Sequence, residues 1–365
     1  VIANRANEIL GGELGKYDRC HPNDHVNYGQ STNDVVPTAG KLTVQLLIKD
    51  LLTDLQYLYD TLQAKGNEFD HVIKMGRTHL QDAVPIRLGQ EFRAFSQPVL
   101  RDIKRISAAV EELTYVNMGA TAVGTGINAD VEYVKNVVRI LSEVTGFEFK
   151  QSPDLVDGTR NLDSFVWLSS ALKTCAVNLS KTANDIRLMA SGPKAGLAEI
   201  LLPQQQPGSS IMPGKVNPVI PEVLNQVCFQ IFGNDITITK AAEAGQLELN
   251  VFEPVLFFNL FQSIEILKNG IITFIENCLK GITAQEENCK YWVDRSVGII
   301  TALNPHIGYK NAAEIAKESI KTGVPVAQIV LQRGLLSKED LDVILNPFEM
   351  TKPGIPGKAL LKKNK

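Results

Sequence analysis

Pro254-Val-Leu-Phe-Phe-Asn-Leu-Phe-Gln-Ser-Ile-Glu-Ile-Leu-Lys-Asn-Gly270-Ile-Ile-Thr-Phe-Ile-Glu-Asn-Cys-Leu279 is the stretch that decides the fold. Its apolar side chains (Val255, Leu256, Phe257, Phe258, Leu260, Phe261, Ile264, Ile266, Leu267, Ile271, Ile272, Phe274, Ile275) cover most of the circumference of a helix. Such a helix has to be buried on several sides, in a bundle core or against another subunit. Four more segments carry the three-to-four-residue apolar rhythm of long helices: Lys41–Lys65, Leu88–Val116, Leu162–Ala190 and Pro221–Gly245. The third of these stops before Ser191-Gly192-Pro193, as helices do. From about Ile282 the pattern changes to short helices (Lys310–Lys321, Val326–Gln332, Ser337–Leu345) broken by Gly and Pro, which predicts a small separate C-terminal domain. The basic, Gly- and Pro-rich tail from Thr351 to Lys365 is expected to be loose. The prediction is an all-α chain, a long central helical bundle followed by a small helical domain.

Composition bounds the function. At 365 residues, with 37 basic and 40 acidic side chains and a net charge of −3, the chain is large enough for more than one domain. Neither nucleic acid nor a polybasic membrane surface is an expected partner. On the sequence alone no apolar run is expected to span a bilayer. Cys20, Cys175, Cys228, Cys278 and Cys289 are scattered and odd in number, without a C-x-x-C pair. They predict a reducing compartment, hence a cytoplasmic protein, and neither a disulfide frame nor a zinc site. The chain opens at Val1 inside what already reads as an amphipathic helix running to Leu10, so a fragment or processed chain is expected.

The chemistry is concentrated in turns. Residues 203–218 (Pro-Gln-Gln-Gln-Pro-Gly-Ser209-Ser210-Ile-Met-Pro-Gly-Lys215-Val-Asn217-Pro218) hold four prolines and two glycines, so they form a loop. Structureless loops of this length in compact domains are usually functional. A solvated surface loop needs only small polar residues. That does not account for Lys215 and Asn217 alternating with Val216, which points both side chains the same way. Paired hydroxyls, an ammonium and a carboxamide suit a small anion, and a hydroxyl there can become a base. A second cluster, Asn27 to Thr38, has more polar side chains than capping a helix entered near Pro37 requires. In a third, Met75-Gly-Arg-Thr78-His79-Leu-Gln-Asp82-Ala-Val-Pro85, His79 is a candidate for ligand binding or proton handling. A fourth, Gly119 to Asn128, looks like a phosphate loop but lacks the Lys-Ser/Thr and the preceding strand. Nucleotide binding is rejected, and its glycines are expected to let the backbone lie close to a ligand or another subunit.

Together these segments resemble the aspartase/fumarase superfamily. Its three separated blocks are matched by Gln30-Ser-Thr-Asn-Asp34, by Gly76-Arg-Thr-His-Leu-Gln-Asp-Ala-Val-Pro85 and by Gly208-Ser-Ser-Ile-Met-Pro-Gly-Lys-Val-Asn-Pro218. Thr32, the run Asn217-Pro-Val-Ile-Pro-Glu222-Val and the pair Glu253-Pro254 are similar to the aspartase branch and not to fumarases. The resemblance implies a homotetramer with active sites shared by three subunits, and reversible elimination of ammonia from L-aspartate to fumarate through an enediolate. It implies no metal and no organic cofactor. Ser209 would be the base that takes the C3 proton. Ser31, Thr32 and Ser210 would hold the β-carboxylate and its enediolate, while Thr78, Lys215 and Asn217 would hold the α-carboxylate. Asn33 and His79 would face the amino group, with His79 paired to Glu222. The resemblance also implies that roughly a hundred residues precede Val1 in relatives, so that 1–33 is a remnant of an N-terminal domain, 34–285 the bundle with its mobile loop 203–218, and 286–365 the C-terminal domain. A fumarate hydratase on the same scaffold and a non-catalytic truncated member are the alternatives.

Overall fold

The structure, a computed structural model, describes residues 1–208 and 211–362. Helices carry the fold in chain order: α1 (Ile2–Ile9), α2 (Thr32–Glu68), α3 (Leu88–Glu112), α4 (Val131–Thr145), α5 (Leu155–Arg160), α6 (Asp163–Met189), α7 (Val219–Glu243), α8 (Glu253–Asn277), α9 (Glu286–Arg295), α10 (Ile300–Ile307), α11 (Tyr309–Thr322), α12 (Val326–Gln332) and α13 (Lys338–Ile344). The strands are short: β1 (Ile73–Thr78) and β2 (Gln81–Arg87) form a hairpin, β3 (Tyr115–Val116) pairs with β4 (Lys150–Gln151), and β5 (Ile200–Leu201) pairs with β6 (Thr283–Ala284). The fold is all-α, and the five long helices are α2, α3, α6, α7 and α8.

The chain forms two compact units, each assembled from three stretches. The first is Val1–Leu55, Arg101–Asn178 and Gln226–Gly270; the second is Gln56–Leu100, Leu179–Asn225 and Ile271–Lys365. Every boundary between them falls inside a long helix. In the first unit the core is made by Val44, Ile48, Leu51 and Leu55 of α2, Phe165, Leu168 and Leu172 of α6, and Leu256, Leu260, Ile264 and Leu267 of α8, all fully or almost fully buried. These rows repeat at three and four residues, and each large side chain so buried contributes about 2 kcal/mol. Gly40 of α2 makes room for this packing, since a Cβ there would lie 2.3 Å from Cζ of Phe257. Polar side chains fix the register between helices: Asn234 of α7 donates to Gln262 and to Ser263 of α8, both at 3.0 Å. In the second unit Ile271, Phe274 and Ile275 of α8 continue the buried row. The C-terminal helices build a further core there from Val293, Leu303, Ile315, Ile329, Val330, Leu341 and Ile344, with Met75 of β1 packed among them.

Three expectations need correction. Helix α2 starts at Thr32, not near Pro37. Proline tolerates this position because the carbonyl its missing N–H leaves free, that of Asn33, accepts from Asn117 Nδ2 at 3.0 Å. Over Glu253–Gly281 the helix is long and apolar enough to cross a membrane by length and composition, against the expectation that no run is. Leu256, Leu260, Ile264 and Leu267 of this helix form the buried row just described, while Val255 and Phe258 are exposed. The polar cluster at 75–85 is a β-hairpin and not a turn between helices. Its turn residues His79 and Leu80 both have positive φ, 54° and 59°, without the glycine or asparagine that announces such a turn.

Glu253 and Lys41 are among the charged groups buried in the first unit. Burial pushes the Glu253 carboxyl up to about 7, against the attraction of Lys41, and brings Lys41 down to about 8, against Asp163 and Glu253. Between 4.5 and about 7 the folded chain therefore holds a proton on Glu253 that the unfolded chain has released, and stability falls as pH rises through that window. Lys41 acts in the opposite sense above about 8, where the folded chain has released a proton that the unfolded chain keeps until 10.5, so its contribution rises with pH there. Glu253→Gln is expected to raise stability at pH 7.5 by about 1–3 kcal/mol and to flatten the decline between pH 5 and 7. Thermal denaturation across that range checks this; an unchanged pH dependence refutes it.

Candidate active site

In the first unit the polar cluster before α2 is organised around a carboxylate. Asp34 is fully buried. Its Oδ1 accepts the Ser31 N–H at 2.9 Å, and its Oδ2 accepts the N–H groups of Gly119 at 3.2 Å and Thr121 at 3.0 Å. Charged acceptors make the stronger hydrogen bonds, so this one side chain ties the Ser31-Thr32-Asn33 turn to the loop at 119–126. Ser31 Oγ accepts the Asn33 N–H at 3.1 Å, Thr32 Oγ1 lies 3.3 Å from Asn33 Oδ1, and Asn33 Nδ2 donates to the Ala122 carbonyl at 2.6 Å. Ser31, Thr32 and Asn33 are thus gathered at the start of α2, with Thr32 exposed and its neighbours half-buried. The glycine-rich loop serves its own chain: a Cβ at Gly124, which has φ +93°, would lie 2.3 Å from the Val156 Cα of α5. The close approach expected of a ligand or a second subunit is made there by α5.

In the second unit Thr78 ends β1 opposite Gln81, and His79 forms the tip of the hairpin, both exposed. Of the loop 203–218, Ser209 and Ser210 lie outside the described residues. Lys215 is exposed and its N–H donates to the Met212 carbonyl at 3.2 Å. Asn217 and Pro218 lead directly into α7, whose first turn carries Glu222. A carboxylate there is favoured by the helix dipole. Glu222 Oε1 lies 3.5 Å from Arg187 Nη2, and Arg187 Nη1 donates to Asn225 Oδ1 at 3.2 Å. Within one chain no hydrogen bond joins His79 to Glu222 among the described residues. Lys215, Asn217 and Glu222 therefore share one loop-to-helix junction, and Thr78 and His79 share a hairpin.

Several residues around these groups escaped the sequence reading. Arg77 Nη1 donates to Glu199 Oε1 at 2.6 Å, and Lys74 Nζ lies 2.8 Å from Glu199 Oε2 and 2.8 Å from Glu91 Oε2. Burial alone would lower the Lys74 pKa, yet Glu91 and Glu199 together carry it above its ordinary value. Burial pushes the Glu91 carboxyl up, against the attraction of Lys74. Glu199 had one visible signal, a single carboxylate inside the apolar run Ala198-Glu199-Ile200-Leu201-Leu202. In the sequence Asp34 is one polar side chain among several between Asn27 and Thr38. The turn of the first unit offers hydroxyls and a carboxamide, and the hairpin and loop of the second unit offer a hydroxyl, a histidine, a carboxamide and an exposed ammonium, each of a kind that suits an anionic ligand. No cluster of metal-ligating side chains occurs among the described residues.

A lyase family model matches residues 2–233, and a model of the fumarase C C-terminus matches residues 299–352. The aspartate ammonia-lyase of Bacillus subtilis is 58% identical over 363 residues, an alignment that covers 100% of this chain and 76% of that protein. The aspartate ammonia-lyase of Escherichia coli is 48% identical, with 98% of this chain and 75% of that protein covered. Among solved structures, the fumarate lyase:delta crystallin of Brucella melitensis bound to cobalt superposes with a TM-score of 0.94 at 48% identity, over 97% of this chain and 76% of that one. A class II fumarase from Schistosoma mansoni superposes with a TM-score of 0.90 at 35% identity, over 96% of this chain and 77% of that one.

Asp34→Ala leaves the Gly119 and Thr121 amides without their acceptor. We expect it to lower stability by about 3 kcal/mol, since buried donors left unpaired carry their full desolvation cost. Denaturant unfolding measures the loss, and hydrogen exchange should quicken at those two amides first. Exchange there at the parent rate would refute the tie.

Proposed function

The chain belongs to the aspartase/fumarase superfamily of lyases, and we propose that it catalyses the reversible elimination of ammonia from L-aspartate to give fumarate. The observation that carries the reading is identity of 58% to an aspartate ammonia-lyase across the whole chain. Thr32, Val219-Ile220 and Glu253-Pro254 favour that branch over the hydratases.

The reaction is difficult because the C3 proton of aspartate is next to a carboxylate and hardly acidic. Its removal leaves a dianionic enediolate, which forms only where donors are already arranged around it. In this reading Ser209 takes the C3 proton onto its Oγ, and Ser31, Thr32 and Ser210 donate to the enediolate oxygens. The C2–N bond then breaks, its electron pair leaves with nitrogen, and ammonia departs past Asn33 and His79. Thr78, Lys215 and Asn217 hold the α-carboxylate, Lys215 as its counter-charge. Glu222 orients His79. A serine hydroxyl is a very weak acid, so Ser209 works as a base only in a closed, donor-rich site.

Surface chemistry supports self-association. In the first unit Trp167 and Val177 of α6, Phe229 and Ile236 of α7, and Val255 and Phe258 of α8 are exposed, with Ile236 and Phe258 both 67% accessible. Apolar side chains repeated along three helices mark a protein interface. A homotetramer in which three subunits build each site fits them, and explains why Glu222 and His79 need not meet within one chain. The free thiols agree with a cytoplasmic setting.

Ultraviolet absorbance of the purified protein at mildly alkaline pH should rise with L-aspartate, matched by released ammonia, and stay flat with L-malate. A rise with malate alone would make the protein a hydratase, and no rise with either from a folded oligomer would make it a non-catalytic relative. Ser209→Ala should lower kcat by at least about 10³-fold with assembly intact; substantial residual elimination would remove Ser209 as the base. Mixing Ser209→Ala with Thr78→Ala subunits, each inactive alone, should restore part of the activity. No recovery after exchange of subunits would place both groups of a site on one chain.

A further inference from the structure

Arg77, Lys74, Glu91 and Glu199 have no part in the roles above, yet they are among the most deeply placed charges in the second unit. The Glu199 side chain is 0% exposed, Lys74 4% and Arg77 14%. Taking such ions out of water costs several kcal/mol each, and apolar residues of the same volume often give equal or greater stability. What a charged cluster supplies in addition is a single register between the elements it joins.

Those elements are the two that matter for the site. Arg77 directly precedes Thr78 and His79 on the hairpin. Glu199 directly precedes β5, and the loop beginning at Pro203 follows two residues later. The Glu199 backbone is fixed on both sides, its N–H donating to the Met189 carbonyl at 2.9 Å and its carbonyl accepting the Gln285 N–H at 2.8 Å. Arg77 meets its carboxylate from 122 residues away in sequence. Arg77 Nη1 is also held by the Met75 carbonyl at 3.2 Å, beside the bulge at Gly76. The guanidinium thus links the hairpin tip to the root of the loop.

We propose that the Arg77–Glu199 ion pair sets Thr78 and His79 in register with the root of the loop that carries Lys215 and Asn217, so that Arg77 and Glu199 are positioning residues for the elimination. The assignment rests on the activity inferred above. Misplacing reacting groups by an ångström costs far more in turnover than in stability.

Arg77 lies at the edge of the cluster, so Arg77→Met should fold, with Lys74 still neutralising Glu199. Two readouts are taken on the full chain: steady-state kinetics with L-aspartate, and the rate of tryptic cleavage after Lys215, which needs no activity. Arg77→Met should lower kcat about 10- to 100-fold with KM within about threefold. Cleavage after Lys215 should be about tenfold faster, because a loop released at its root opens more often. Arg77→Lys, which keeps the charge, should recover most of both, and Glu199→Gln should reproduce Arg77→Met. Parent values of kcat and cleavage in Arg77→Met would overturn the proposal, as would losses that track global unfolding and are not recovered by lysine. If the parent releases no ammonia from aspartate, the activity assignment fails by itself. Faster cleavage in Arg77→Met would then still support the tie between hairpin and loop root, and an unchanged rate would overturn it.

Discussion

Glu199 is a fully buried carboxylate, and the second unit is arranged to make that tolerable. Its charge is met by Arg77 from the hairpin and Lys74 from the same strand, and Lys74 is in turn met by Glu91 of α3. Its backbone is held by the end of α6 and by the residue before α9. Removing Lys74, which meets both Glu199 and Glu91, would leave two carboxylates short of a partner, which is far costlier than the pairing is favourable. Hairpin, α3, the end of α6, β5 and α9 consequently adopt one mutual arrangement or none. Asp34 plays a comparable part in the first unit with neutral partners, drawing three backbone N–H groups onto one side chain.

The long helices were legible because their information is local. A buried row at three- and four-residue spacing is written into consecutive residues, and α3, α6, α7 and α8 lie within a few residues of their expected bounds. What escaped depends on residues distant in sequence. The early start of α2 needs Asn117, 84 positions away, to satisfy the carbonyl that Pro37 abandons. The hairpin needs His79 and Leu80 in left-handed conformations that their side chains do not announce.

The candidate site divides along the same line. Its candidate residues stand out as polar types crowded into turns, and Ser31, Thr32, Asn33, Thr78, His79, Lys215, Asn217 and Glu222 all sit at element ends or tips. Loops held by a rigid scaffold are where such groups are placed. The groups that hold them were not readable. Asp34 looks like one more polar residue until Gly119 and Thr121 are beside it, and Glu199 like an anomaly in an apolar run until Arg77 and Lys74 arrive. Resemblance to a family suggests candidate reacting groups more readily than it reveals the contacts around them.

The division of every long helix between two compact units bears on how the chain can be made. Neither unit corresponds to a contiguous segment, so no single cut separates one from the other. During synthesis the first unit lacks its last stretch until Gly270 has emerged, and the second until the C-terminal helices have. The apolar row of α2 must therefore wait for partners more than 200 residues later, α8 among them. Contacts so remote close slowly, and they leave unpaired apolar helices open to wrong associations in the interval. A chain of this design depends on being sheltered while it is born.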